Sequence, residues 1–200
     1  MIHNANIRNI CFALLLTINT LYSQAYPSTA SEASIIPLQL TSASQPMIHL
    51  GGIRSQNDVR FISGLQFQPS KNLLIGGAIS PHKIGMDLSI YYHIVIGYIP
   101  PWNLINISSN MFQIGMHRNR FGVDGDARWF SLSYMESVQF GSVNLNLCWN
   151  HLFAHNWANN TVLISTNLMI RKNFYLRPGA IVNFIPSFDY TPFLFLSIDL

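Results

Sequence analysis

The chain has 200 residues, enough for one domain or for a single barrel with a removable leader. Asp, Glu, Lys and Arg make up only 10% of it, against roughly 25% in an ordinary soluble domain, while the hydrophobic share of 49% is near normal. The net charge of +3 comes from scattered basic residues without aromatic interleaving, which excludes a nucleic-acid footprint; beyond the leader no run of ~18 apolar residues occurs, which excludes a spanning helix.

Residues 1–25 read as a secretory signal peptide. Arg8 precedes an apolar run from Ile10 to about Leu16, and Ser23 and Ala25 sit three and one before a cleavage point after Ala25. Its removal takes Cys11 away and leaves Cys148 as the sole thiol, so an intramolecular disulfide is impossible in the remaining chain. Residues 26–46 are rich in Ser, Pro, Ala and Thr and read as a linker.

From residue 47 the chain becomes a series of alternating segments divided by turn residues: Met47–Ile53 (the weakest), Val59–Gln68, Leu73–Ser80, Gly85–Tyr98, Leu104–His117, Arg128–Glu136, Ser142–His151, Thr161–Arg171, Phe174–Asn183 and Thr191–Leu200. That is about ten strands, or eight if the first is not real and one other is misread. No amphipathic helix competes with them.

The alternation is clearest in two places. Over 85–98 one face carries Met86, Leu88, Ile90, Tyr92, Ile94, Ile96 and Tyr98, and the other Asp87, Ser89, Tyr91, His93, Val95 and Gly97. Over 142–150 Val143, Leu145, Leu147 and Trp149 oppose Ser142, Asn144, Asn146, Cys148 and Asn150. An apolar face as long as that of 85–98 approaches the length of a bilayer-crossing strand. Its polar partner face is small and mostly neutral, which suits a confined lumen better than bulk water. The expected fold is therefore all-β, an antiparallel transmembrane β-barrel of about 8–10 strands over residues 47–200. On this reading Ile94→Arg and Leu145→Arg should impair insertion, and Asn146→Arg should be tolerated better.

The last segment, TPFLFLSIDL, presents Leu194, Leu196, Ile198 and Leu200 on one face and ends at residue 200. It resembles the C-terminal insertion signal of bacterial outer-membrane β-barrel proteins, which more often end in Phe or Trp. The resemblance implies location in the cell outer membrane, lipid as the surrounding partner, and insertion by the outer-membrane assembly machinery. With the C-terminus in the periplasm, Arg118–Ala127 and Leu152–Asn160 become the two longest connections on the outer side, as outer-membrane barrels require. Aromatics near strand ends suit interfacial girdles: Tyr98 with Trp102, Trp129, Trp149 with Trp157, Phe174 with Tyr175, and Tyr190 with Phe193.

Arg60, Asp87, His93, Arg177 and Asp199 fall on the lumen face, where opposite charges should pair into a network because isolated ones are costly to desolvate. The outer loops offer Arg118, Arg120, Asp124, Asp126, His155 and Trp157 as recognition residues, with a protein partner possible there. Asp124-Gly125-Asp126 lacks the further ligands of a calcium loop, and His151 and His155 are spaced for a helix while lying in a loop, so no metal and no cofactor is expected. No short signature couples a Ser to a His, and the chain is expected not to be an enzyme. The role these observations suggest is structural, surface-binding or narrow-passage, porin-like. The alternatives are a barrel component of a secretion or surface-assembly complex, or a soluble calycin-like binder of a lipophilic ligand with its apolar faces turned inward.

Overall fold

A computed structural model describes residues 46–55, 58–84, 87–102, 108–121, 125–141, 143–155, 157–183 and 189–200. The expected leader, and the linker up to residue 45, lie outside the described residues. Ten strands follow in order: β1 (Met47–Ser55), β2 (Asp58–Ser70), β3 (Leu73–Ile84), β4 (Asp87–Tyr98), β5 (Ser108–Phe121), β6 (Gly125–Phe140), β7 (Val143–Ala154), β8 (Trp157–Arg171), β9 (Phe174–Asn183) and β10 (Asp189–Asp199). Each pairs antiparallel with its sequence neighbours, and β1 pairs with β10, so the sheet closes into an all-β barrel. The weak first strand is real: Met47 stands opposite both Gln66 and Asp199. Closure explains it, since a short, Gly-containing strand gains two ladders at once.

The period-two pattern places the apolar faces outside. On β4, Ile90, Ile94, Ile96 and Tyr98 are exposed while Ser89, Tyr91, His93 and Val95 are buried. On β7, Leu145 and Leu147 are exposed and Asn146 and Cys148 are buried. Other strands continue the same band with Phe61 and Leu65 on β2, Ile114 and Met116 on β5, and Phe130 and Leu132 on β6. From Ile90 to Tyr98 the band covers about 20 Å at ~3.3 Å per residue and a ~40° tilt, close to the ~25 Å apolar band of membrane barrels. Soluble monomers do not expose contiguous apolar surface on this scale. The apolar faces turned outward overturn the soluble calycin-like alternative.

The interior is filled. One contiguous apolar cluster takes a residue from every strand: Ile53, Ile62, Leu74, Val95, Met111, Met135, Cys148, Leu163, Ile181 and Phe193 in chain order. This changes the expectation for Asn146→Arg. Asn146 faces the lumen as read, but it is only 1% exposed, and an arginine there would have to displace packed side chains. Cys148 is equally enclosed. In a Cys11→Ser background, its thiol should resist a polar maleimide in the folded barrel and react promptly after boiling in detergent; prompt labelling of the folded barrel would mean that water fills the lumen.

Three expectations about the ends need correction. First, strands run further than polarity suggested. Arg118 pairs with Arg128 and Phe121 with Gly125, so only 122–124 separate β5 from β6; Ala154 pairs with Trp157, leaving 155–156 between β7 and β8. Polar outward residues need not end a strand whose backbone is paired on both sides. Secondly, the longest gap between strands, 99–107, falls at the end of the barrel that carries Met47 and Asp199, hereafter the terminus end. The opposite end, called the loop end below, does not carry the longest connection, so loop length does not orient the barrel.

Thirdly, some expected girdle aromatics point inward. Trp129 and Phe193 are buried in the lumen, as their shared parity with the inward Ser131 and Phe195 requires. Tyr175 shares the inward face of β9 with Arg177 and is half-buried. A ring does sit at the terminus end, where Trp102 meets Phe112 edge-on at 6.4 Å and Phe112 meets Tyr134 at 5.1 Å. There Asn72 also links the β2–β3 turn to Ile99 through its side-chain amide and its backbone carbonyl. The Lys172–Asn173 turn uses Asn173 at φ 67°, a left-handed conformation that Asn tolerates.

Candidate functional site

The lumen residues expected to form one charged network are spread along the barrel. Arg60 faces inward opposite Ile53 towards the loop end, while Asp199 lies at the terminus end, hydrogen-bonded to Tyr175. Arg177 is buried on β9, donating from Nε to Ser165 Oγ at 3.2 Å, with its guanidinium 5.9 Å from the Phe193 ring centroid. Asp87 begins β4, and its side chain lies outside the described residues. His93 belongs to a different group.

That group is a cluster the sequence reading did not assemble. Register sets His93 opposite His117 across β4 and β5, and Tyr91 opposite Asn119. The Tyr91 hydroxyl lies 2.6 Å from His93 Nδ1 and 2.8 Å from His117 Nδ1. His117 Nε2 lies 2.8 Å from Ser131 Oγ. Trp129 stacks on His117 at 5.5 Å and 4°, and on Tyr91 at 5.8 Å and 17°. Just above, Ser89 Oγ donates to Asn119 Oδ1 at 2.7 Å. Gly115 makes the Ser131–His117 contact possible, because a Cβ there would collide with Ser131 Oγ and come within 2.8 Å of His117 Nε2.

Proton counting restricts this cluster. Tyr91 has one hydroxyl hydrogen and two imidazole Nδ1 neighbours, so it donates to one histidine and accepts from the other. Two polarities satisfy the chain. In one, Ser131 donates to His117 Nε2, His117 Nδ1–H donates to Tyr91, and Tyr91 donates to His93. In the other every arrow reverses. The first puts a serine hydroxyl against a neutral imidazole acceptor, the pairing that activates a nucleophile. Ser131 sits in the middle of β6, between β5 and β7, so its backbone N–H is committed to a ladder. The signal that could have found the cluster was parity plus register: Tyr91, His93, His117 and Ser131 all lie on inward faces, but only strand pairing brings residues 14 and 26 apart into contact.

The expected outer recognition residues fare differently. Arg118 is gripped by Asp126 through two hydrogen bonds, Nε to Oδ1 at 2.7 Å and Nη2 to Oδ2 at 2.8 Å, and its Nη1 donates to the Tyr92 hydroxyl at 2.9 Å. Arg128 donates to the same Asp126 Oδ2 from Nε at 3.0 Å and Nη2 at 2.8 Å. The two guanidinium groups thus hold the Asp126 carboxylate between them. Arg120 is exposed, and no side-chain partner is found for it among the described residues. His155 is exposed in the β7–β8 turn; Asp124, like the side chain of Trp157, lies outside the described residues. His151 faces outward and contacts Asn160 at 2.8 Å, so it does not join His155 in a ligand pair.

A closed ten-stranded antiparallel barrel, apolar outside and packed inside, defines the class of protein to which the chain's fold conforms. No family model and no curated protein matches it. Among solved structures, an active-site mutant of outer membrane phospholipase A from Escherichia coli is similar at 8% identity, covering 86% of this chain and 99% of that one, with a TM-score of 0.39. The general resemblance to outer-membrane β-barrels stands, and no subfamily emerges. The expectation that the chain is not an enzyme is withdrawn. It rested on the lack of a short signature coupling a Ser to a His, and strand pairing brings Ser131 Oγ to 2.8 Å from His117 Nε2 without one.

Proposed function

We propose that the chain is a β-barrel of the outer membrane whose lumen is plugged and whose work is structural or surface-binding, done at the loop-end rim. The observation that carries this is the apolar cluster to which all ten strands contribute. A narrow apolar section excludes water and ions even where side chains could part. The porin-like variant of the reading is accordingly set aside. A role within a secretion or surface-assembly complex would use the same rim, through the paired hairpins β5–β6 and β7–β8.

The test has two stages. Refolded in detergent micelles, the chain should migrate differently before and after boiling. Inserted into a planar bilayer, that folded material should give no stepwise conductance at moderate salt. Steady single-channel steps from heat-modifiable protein would overturn the plugged-lumen reading.

A further inference from the structure

The structure assigns a binding site for the phosphate of a membrane lipid to the outward face of the β5–β6 hairpin, formed by Arg118, Arg120 and Arg128. This rests on the reading of the chain as a membrane-embedded barrel.

Charge placement is the first argument. Arg118 and Arg128 stand directly opposite each other, and Arg120 is one outward position further along β5. Like charges directly opposite across a ladder are destabilising, with Cβ atoms only ~5 Å apart. Asp126 answers part of this by bonding both Arg118 and Arg128. Asp126, directly opposite Arg120 in register, spends its carboxylate oxygens on Arg118 and Arg128. Asp126 is already shared by two arginines, whereas the Arg128 side chain is 67% exposed and Arg120 is exposed too. An anion meeting these two would be held by charge-assisted hydrogen bonds, and a phosphate presents pairs of oxygens that a planar guanidinium fork meets two at a time.

Depth is the second argument. One outward step towards the barrel's middle from Arg118 and Arg128 come Met116 and Phe130, themselves directly opposite each other, and then Ile114 and Leu132. All four are exposed apolar residues of the lipid-facing band. On the β4 side Tyr92 stands opposite Arg118 and Ile90 opposite Arg120, so the arginines lie level with the upper edge of the band, where acyl chains give way to headgroups, roughly 7 Å along the strand from the pair Met116 and Phe130. Tyr92, holding Arg118 through its hydroxyl with the guanidinium 6.0 Å from its ring centroid, fixes the site's edge in the way interfacial tyrosines do. A soluble anion would need the charges but not the apolar step beneath them. A lipid phosphate uses both.

The experiment is native mass spectrometry of the chain refolded in a neutral detergent, titrated with phosphatidic acid and, separately, with phosphatidylcholine of the same acyl chains. Phosphatidic acid should bind saturably at one per barrel and at least ten-fold more tightly than phosphatidylcholine. Arg120→Gln/Arg128→Gln should lower phosphatidic acid affinity ten-fold or more, and Arg171→Gln/Lys172→Gln at the terminus end should not. Equal retention by the two lipids, no loss in the Arg120/Arg128 variant, equal loss in the Arg171/Lys172 variant, or displacement of the lipid by millimolar inorganic phosphate would each overturn the assignment. Should the double variant not fold, Arg120→Gln alone carries the test with a several-fold loss expected. Heat-modifiable migration is scored on every sample, so a chain that never forms a detergent-embedded barrel counts against the membrane reading and is told apart from a folded barrel that ignores the lipid.

Discussion

Ile94→Arg and Leu145→Arg should each leave most of the chain unfolded when it is presented with lipid vesicles. Both residues are on the outward face, 52% and 42% exposed, Ile94 between Tyr92 and Ile96 along β4 and Leu145 between Val143 and Leu147 along β7, where Leu145 stands nearer the terminus end and should show the smaller loss of the two. An arginine near mid-depth on a lipid-facing strand costs ~2–4 kcal/mol, falling to ~0–1 near the interface. The suitable reference is His155→Arg, because His155 is exposed in a turn beyond the apolar band. Asn146→Arg is a poor reference, since the packed lumen would penalise it for reasons unrelated to lipid. Folded fractions, read from boiled and unboiled gel lanes, should be close to wild type for His155→Arg and strongly reduced for the other two. Equal folding of all three would mean that the outer face meets water.

The second large effect concerns a glycine. Gly179 on β9 stands directly opposite Phe193 on β10, and the phenyl ring lies across the space a side chain would need. A Cβ at 179 would meet that ring and would approach the Ile164 carbonyl oxygen to 2.6 Å, a backbone atom that cannot swing away. Gly51 is covered by Phe195 in the same manner. Gly179→Ala should therefore destabilise the barrel by ~1–3 kcal/mol, the usual cost of forcing volume into a packed interior. Gly52→Ala is the matched comparison. Its Cβ would meet Val59 Cγ1 at 3.4 Å, an ordinary contact, and it should be neutral or slightly stabilising. Urea midpoints in one detergent decide the matter, and equal midpoints would mean that Phe193 does not fill the space over Gly179.

Much of this architecture could be read from alternation alone. Leu145 and Leu147 against Asn146 and Cys148, or Ile94 and Ile96 against His93 and Val95, announce both the strand and its facing, because successive side chains must leave opposite sides. All ten strands were legible in this way, the first least clearly because its glycines weaken local propensity while its stability comes from two distant partners, β2 and β10. Strand ends were less legible. Arg118, Asp126 and Arg128 look like loop chemistry, yet they are partners across a ladder that extends past the apolar band. The histidine cluster was beyond local reading altogether. Tyr91, His117 and Ser131 meet only after three strands have been set in register, and no spacing within one segment encodes that. Position along the strand suggests a girdle for Trp129, but parity decides its facing, and it stacks inside on His117.

The seam between β1 and β10 bears on the order of events in biogenesis. Residues 189–200 complete the cylinder: Leu200 donates its backbone N–H to the Pro46 carbonyl at 2.9 Å, and Met47 is aligned with Asp199. Until β10 has been synthesised, the far edge of β1 has no mate, and its row of N–H and C=O groups is free to recruit any extended peptide that comes near. Hairpins such as β7–β8 can form early from neighbouring residues, but the ring cannot shut until β10 is present to meet β1, a contact order that slows the last step. The chain therefore passes through an interval as an open ribbon with a sticky margin, as open to unintended pairing along that edge as it is to association through its apolar flank.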